Sequence, residues 1–311
     1  MPLVNTKEMF QKAYREGYAV GCFNVDSIAM VQAVLEAAEE NRSPVMVAFS
    51  KGSREFMHPG NIMILIKIVA KDISIPFAIH LDHGKSAELC KACIDEGFTS
   101  VMIDASMHPL EENIKITKEV CEYAHARGVS VEGELGAIAG DEDHPKQETR
   151  KNTFTNVDDV VRFVEETGVD SLAVSIGTVH GMQKFAPGEI PSLRFDILEE
   201  IQRRLPEFPL VLHGASSVPP EILEKFNRYG GNIHDAIGVP EELLVRAASL
   251  NVCKINIGTD FRMAYVGGLR KALADYPDRF EPRYFLAPAK EAARNLVAHK
   301  LANVFKSANR V

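Results

Sequence analysis

Three histidines, His83, His180 and His213, carry the first chemical signal in this chain, because each falls just past a short apolar run. Three neutral imidazoles with an open fourth position form a ligand set that suits catalytic zinc. Any one of them alone reads as an ordinary, satisfied histidine. Three at corresponding points of one predicted rim read as a cluster. Asp82 immediately precedes His83, which sets a proton acceptor beside such an ion. Asp104 and Glu134 end the next two apolar runs, where a carboxylate either fixes a histidine's orientation or holds a second cation, divalent or monovalent. His58, His108, His125, His144 and His234 fall in polar or helix-like segments and read as solvated surface. His80 shares strand parity with Asp82 and reads as a packing residue. The acidic stretch Asp141-Glu142-Asp143 is open between a solvated loop and an acid–base group.

A second signal concerns phosphate. Gly181 is followed closely by Lys184, and two further turns read Gly214-Ala215-Ser216-Ser217 and Gly258-Thr259-Asp260. Backbone N–H groups at glycine turns and helix starts cradle phosphate, and lysine adds charge. Each element is common in turns; their convergence on one rim carries the weight.

These residues need a scaffold that gathers loop ends. Eight apolar runs rich in Val and Ile alternate with helix-period segments: Ala19–Val25, Val45–Phe49, Phe77–Leu81, Ser100–Asp104, Ser130–Leu135, Ser171–Gly177, Leu210–Leu212 and Val252–Gly258. Near-continuous apolar strands between helices indicate a parallel sheet covered on its faces. Eight such units in 311 residues predict an α/β fold, one (β/α)8 TIM barrel domain over residues 1–311. A doubly wound sheet is the alternative, disfavoured because no GxGxxG follows the first strand. Asn156 and Ser217 stand where helix N-caps belong. Long connections, Gly136–Asn156 and Thr178–Ser192, follow strands five and six, and Ala287–Ser307 predicts an extra C-terminal helix with a subunit contact as one reading. In a barrel, catalytic residues sit at the C-terminal strand ends, which is where the candidates above fall.

Composition narrows the class. A net charge of −8 with no basic block argues against a nucleic-acid partner. No apolar run is long enough to span a membrane and no secretory signal is evident, so a cytoplasmic location is expected. Five cysteines suit a reducing compartment; Cys90 and Cys93, spaced as CxxC, read as buried helix thiols. Lys254 shares parity with Asn256 and is a conceivable Schiff-base nucleophile, but packing or a salt bridge is the plainer reading.

The sequence resembles the class II fructose-1,6-bisphosphate aldolases, including the tagatose-1,6-bisphosphate enzymes. The resemblance runs over essentially the whole chain. It is carried by His80-Leu81-Asp82-His83-Gly84, Val131-Glu132-Gly133-Glu134-Leu135-Gly136, Gly177-Thr178-Val179-His180-Gly181 and Leu212-His213-Gly214-Ala215-Ser216. It implies that His83, His180 and His213 bind zinc and that Asp82 moves the proton of the C4 hydroxyl. It further implies that Glu142 exchanges a proton at C3, and that Asp104 and Glu134 can take a second metal. Gly181, Lys184, Gly214, Ser216 and Thr259 match a ketose 1-phosphate site, Asn256 a contact to the dihydroxyacetone portion, and Asn24 and Ser50 the other end of a sugar bisphosphate. Arg262 resembles an arginine reaching the 6-phosphate of a neighbouring subunit, which implies a homo-oligomer, dimer or tetramer. Two departures, Gly258 and Glu281 where many members have Asp, leave fructose against tagatose bisphosphate open. A non-catalytic barrel subunit is the remote alternative, and such a subunit would be expected to lack these ligands.

Overall fold

The computed structural model describes residues 2–138, 153–181, 191–234 and 236–311. Strands β1 (Val20–Asn24), β2 (Val45–Phe49), β3 (Phe77–Gly84), β4 (Ser100–Ile103), β5 (Ser130–Leu135), β6 (Ser171–Val174), β7 (Leu210–Leu212) and β8 (Val252–Ile257) follow the predicted runs closely. They pair in parallel in chain order, and β8 returns to β1 through pairs such as Val20–Lys254 and Cys22–Asn256. That closure excludes the doubly wound alternative, whose open sheet would leave two edges. Nearly every strand residue is buried, because helices cover the outside while side chains fill the inside.

Twelve helices accompany the strands among the described residues. They are α1 (Lys7–Glu16), α2 (Ile28–Glu40), α3 (Lys51–Met57), α4 (Pro59–Val69), α5 (Ala87–Glu96), α6 (Leu110–His125), α7 (Val157–Thr167), α8 (Phe195–Arg204), α9 (Pro220–Arg228), α10 (Glu241–Ala248), α11 (Thr259–Asp275) and α12 (Arg283–His299). Several start where a side-chain oxygen meets an orphan N–H. Ser27 accepts from Met30 N at 3.3 Å, Ser86 from Leu89 N at 3.3 Å, and Asn156 from Asp158 N at 3.1 Å. Ser217 does not cap as expected. The N-cap of α9 is Pro219, and the Ser217 hydroxyl is turned instead toward Asp260 at 3.1 Å. Cys90 and Cys93 are buried free thiols, as their helical setting implied.

Two cores result. Strand residues such as Val47, Phe49, Ile79, Leu81, Val131 and Leu172 pack outward against the helices. At the N-terminal end of the barrel, α1 inserts Met9, Phe10 and Ala13 against Cys22, Met46, Ala48, Ala78 and Cys253. That end is therefore plugged by apolar side chains, and polar residues inside the barrel gather toward the other end. The C-terminal helix begins earlier than predicted, at Arg283, and ends in a π turn, Lys300–Val304. It packs on α11 and α2 of its own chain. The expected long loops after β5 and β6 lie mostly outside the described residues; at the base of the first, Thr153 N donates to Ala137 O at 3.0 Å. No helix of the described residues is long and apolar enough to cross a membrane.

Phe23 joins the barrel to the C-terminal segment, its ring 5.7 Å from Phe261 and 6.2 Å from Phe305. Phe23→Ala is expected to cost about 3–5 kcal/mol through lost burial and a cavity. Denaturant unfolding of the two proteins measures this; a loss below roughly 1 kcal/mol would mean that the site collapses to fill the space.

Candidate active site

Asp82 and His83 are neighbours in sequence, and in a regular strand their side chains would point to opposite faces. The β3–β4 register shifts between Leu81 and Gly84, and His83 adopts φ +47°. This local distortion turns both side chains into the barrel mouth. Gly84 permits it: a Cβ there would fall 2.6 Å from the Met102 carbonyl oxygen and 2.8 Å from Cys90 Sγ.

The three histidines meet. The His83 ring centroid lies 4.5 Å from that of His213 and 4.7 Å from that of His180, and His180 is 6.1 Å from His213. One ring nitrogen from each falls within 4.8 Å of the others, a spacing that a single ion can satisfy. Hydrogen bonds select which nitrogens face the centre. His83 Nδ1 is engaged by Asp104 Oδ2 at 3.0 Å, leaving Nε2 buried without a partner. His213 Nε2 is engaged by Glu132 Oε1 at 2.7 Å, leaving Nδ1 buried without a partner. Orphaned buried nitrogens that converge are costly unless something occupies the space between them. The donor set thus fits a divalent ion of the zinc type, with carboxylates orienting two of the ligands.

Asp82 is 1% exposed. Its Oδ2 accepts from Asn24 Nδ2 at 2.7 Å, its Oδ1 accepts from Asn256 Nδ2 at 3.0 Å, and Oδ1 lies 3.8 Å from His213 Nδ1. The carbonyl oxygens of both asparagines are buried without partners and remain available to a ligand. Asp104 also pairs with Lys85 and accepts from the Ser106 hydroxyl at 2.7 Å. Asp104 and Glu134 form a second group with His83 within ion-binding spacing.

Residues 4–310 match the family model described as fructose-bisphosphate aldolase class-II. The chain belongs to this family. It is 46% identical to a fructose-bisphosphate aldolase of Treponema pallidum, over 99% of this chain and 97% of that protein. It is 43% identical to the one from Giardia intestinalis, over 97% and 92%. Among solved structures, the YdjI aldolase of Escherichia coli K12 superposes with a TM-score of 0.78 at 28% identity, covering 99% of both chains. A family of lyases therefore shares this barrel.

The other described candidates of this class II chain fall on the same rim. Thr259 Oγ1 donates to Gly181 O at 3.4 Å, joining the ends of β8 and β6. Gly214, at φ +61°, approaches the β6 loop so closely that a Cβ would lie 2.7 Å from Val179 O. Ser216 follows it and is buried. Ser50 caps α3 and lies 3.1 Å from the Ser53 hydroxyl, which donates to Asp26 at 2.7 Å. Arg262 holds the same Asp26 through two N–H groups, at 2.7 and 3.1 Å. Glu142 and Lys184 lie outside the described residues.

Sequence reading gave no role to Glu132. Its partner is Lys254, whose Nζ is 2.8 Å from Glu132 Oε2 and 3.2 Å from His80 Nε2. Strand parity, with Glu132 and Glu134 on one face, was the available signal. Lys254 is a salt-bridged core residue: burial lowers its pKa, but Glu132, Cys22 and Asp82 outweigh that and raise it, so the amine stays charged. That state opposes its use as a Schiff-base nucleophile. Burial, then the charges of His83 and Lys254, lowers the pKa of His213 to about 4, whereas Asp82 and Asp104 overcome burial and raise that of His83 to about 10, so an ion binding here must displace the His83 proton. Burial would raise the carboxyl of Asp82, but its surroundings, His83 first and then the neighbouring imidazole of His213 and the Lys254 ammonium, hold it well below the usual range. Burial and then the charge of Asp104 push Glu134 up to about 8.

Asp104→Asn removes the charge behind His83 while preserving shape. Competition with a chromophoric chelator should show divalent-ion affinity falling roughly 10- to 100-fold. Unchanged affinity would show that Asp104 does not act through His83.

Proposed function

We propose that this protein is a zinc-dependent aldolase that reversibly cleaves fructose 1,6-bisphosphate to dihydroxyacetone phosphate and glyceraldehyde 3-phosphate, in the cytoplasm. The observation that carries the proposal is the convergence of His83, His180 and His213 beside a buried Asp82, in a chain whose relatives are named fructose-bisphosphate aldolases. Zinc held by these three histidines supplies Lewis acidity, which stabilises negative charge developing on the ketose oxygens.

The chain's own residues then divide the work. Asp82, ionised and clamped by Asn24 and Asn256, accepts the C4 hydroxyl proton. As that proton leaves, C4–O becomes a carbonyl and the C3–C4 electron pair stays with C3. Glu142 returns a proton to C3, a role that rests on the family resemblance. The free carbonyl oxygens of Asn24 and Asn256 accept from substrate hydroxyls. Gly181, Lys184, Gly214, Ser216 and Thr259 take the ketose 1-phosphate, so that binding far from the reacting bond orients it. Ser50 and Arg262 serve the other end, and Arg262 reaches the site of a neighbouring copy in a homo-oligomer. Asp104 and Glu134 support His83; a second cation with them is the less economical reading, because Asp104 already spends an oxygen on His83 Nδ1.

Cleavage of fructose 1,6-bisphosphate should vanish after EDTA and return with zinc. Asp82→Ala should lower kcat about 10²- to 10⁴-fold, with KM changed far less. Activity that survives thorough chelation would overturn the three-histidine mechanism. Faster cleavage of tagatose 1,6-bisphosphate would reassign the substrate but keep the chemistry.

A further inference from the structure

We propose that Lys300, at the end of the C-terminal helix, is a positioning residue for substrate phosphate, acting through Asp260 on the loop after β7. This rests on the reading that the Gly214–Ser217 loop and Thr259 hold the ketose 1-phosphate.

Lys300 is fully buried, and its ammonium meets groups that converge on this loop. Nζ lies 3.0 Å from Asp260 Oδ2 and 2.7 Å from Glu241 Oε1, and it donates to the Ser217 hydroxyl. Asp260, also fully buried, spends its carboxylate on the loop backbone: Oδ2 accepts from Ser217 N at 2.9 Å and Oδ1 from Val218 N at 2.7 Å. Val218 sits at φ +45°, a conformation that a β-branched residue adopts only when its surroundings enforce it. The other side of the loop is fixed as well. Val239 N donates to Ser216 O at 3.0 Å, and Gly238 lies so close that a Cβ would be 2.1 Å from the Ser217 carbonyl carbon.

Asp260 directly follows Thr259 at the start of α11. One carboxylate therefore sets the distance between the two elements that grip the phosphate. A buried carboxylate beside a phosphate site would repel the dianion unless its charge were balanced. Lys300 supplies that balance from inside the protein, leaving the loop N–H groups free of the conflict. The π turn Lys300–Val304 marks where α12 departs from regular geometry to place this side chain. Glu241, the second carboxylate on Lys300, is partly exposed and also bonded to His299 at 2.9 Å.

The test compares metal-loaded, full-length Lys300→Met with Ser216→Ala, reading fructose 1,6-bisphosphate kinetics, inhibition by inorganic phosphate, and amide hydrogen exchange at Ser217 and Val218. Lys300→Met should raise KM and the phosphate inhibition constant about tenfold, keep kcat within about threefold, and speed exchange at both amides. Lys300→Gln, which keeps N–H donors but no charge, should fall between; if Lys300→Met does not fold, this variant decides by the same criteria. Unchanged KM and phosphate inhibition in folded protein would overturn the proposal. Ser216→Ala raising KM while Lys300→Met does not would sink the Lys300 role alone. If neither variant moves KM, the phosphate reading falls with it.

Discussion

Glu132 lies between His213 at 2.7 Å and Lys254 at 2.8 Å, with 1% of its surface exposed. That carboxylate is closed off from bulk solvent, and a buried charge without partners is very costly. The active end of the barrel is organised by this constraint. Three of the acidic groups inside it find partners from elsewhere in the barrel: Glu132 in Lys254, Asp82 in Asn24 and Asn256, Asp104 in His83 and Lys85, while Glu134 is pushed up to about 8 by burial and Asp104. Strands β1, β3, β4, β5, β7 and β8 are thereby tied to one another by the same contacts that set the chemistry. Orientation and stability are coupled here, so a histidine cannot be misplaced without also exposing an uncompensated charge.

Barrel closure makes this polar interior possible. The plug formed by α1 takes the apolar half of the inner space, and the charged half opens toward the loops. Lys254 occupies the boundary. Its register neighbours show a shift between Leu210–Val252 and Val211–Lys254, which lets Cys253 join the apolar plug while Lys254 turns to the carboxylates. A comparable irregularity in β3 brings Asp82 and His83 to the same side. Two small departures from ideal strand geometry thus serve the site, in keeping with the concentration of backbone strain where function needs it.

The C-terminal helix serves the same end of the barrel from outside. It packs on α2 and α11, sends Phe305 against Phe23, and buries Lys300 beneath the β7 loop.

The alternation of β-branched runs with amphipathic segments was enough to read eight parallel strands, and β2, β5 and β7 match residue for residue, because burial on both faces leaves a local apolar signature. The histidines, Asp82 and the glycine turns were legible for a related reason: residue type and strand-end position are one-dimensional properties. What tertiary structure alone decided is the pairing. Glu132 with His213, Asp82 with Asn24 and Asn256, and Lys300 with Asp260 join residues distant in the chain. Which nitrogen of His213 and of His83 faces the centre follows from the contacts with Glu132 and Asp104. A sequence states which charges exist. Only closure of the barrel removes the water from around them and so determines which partners they must find.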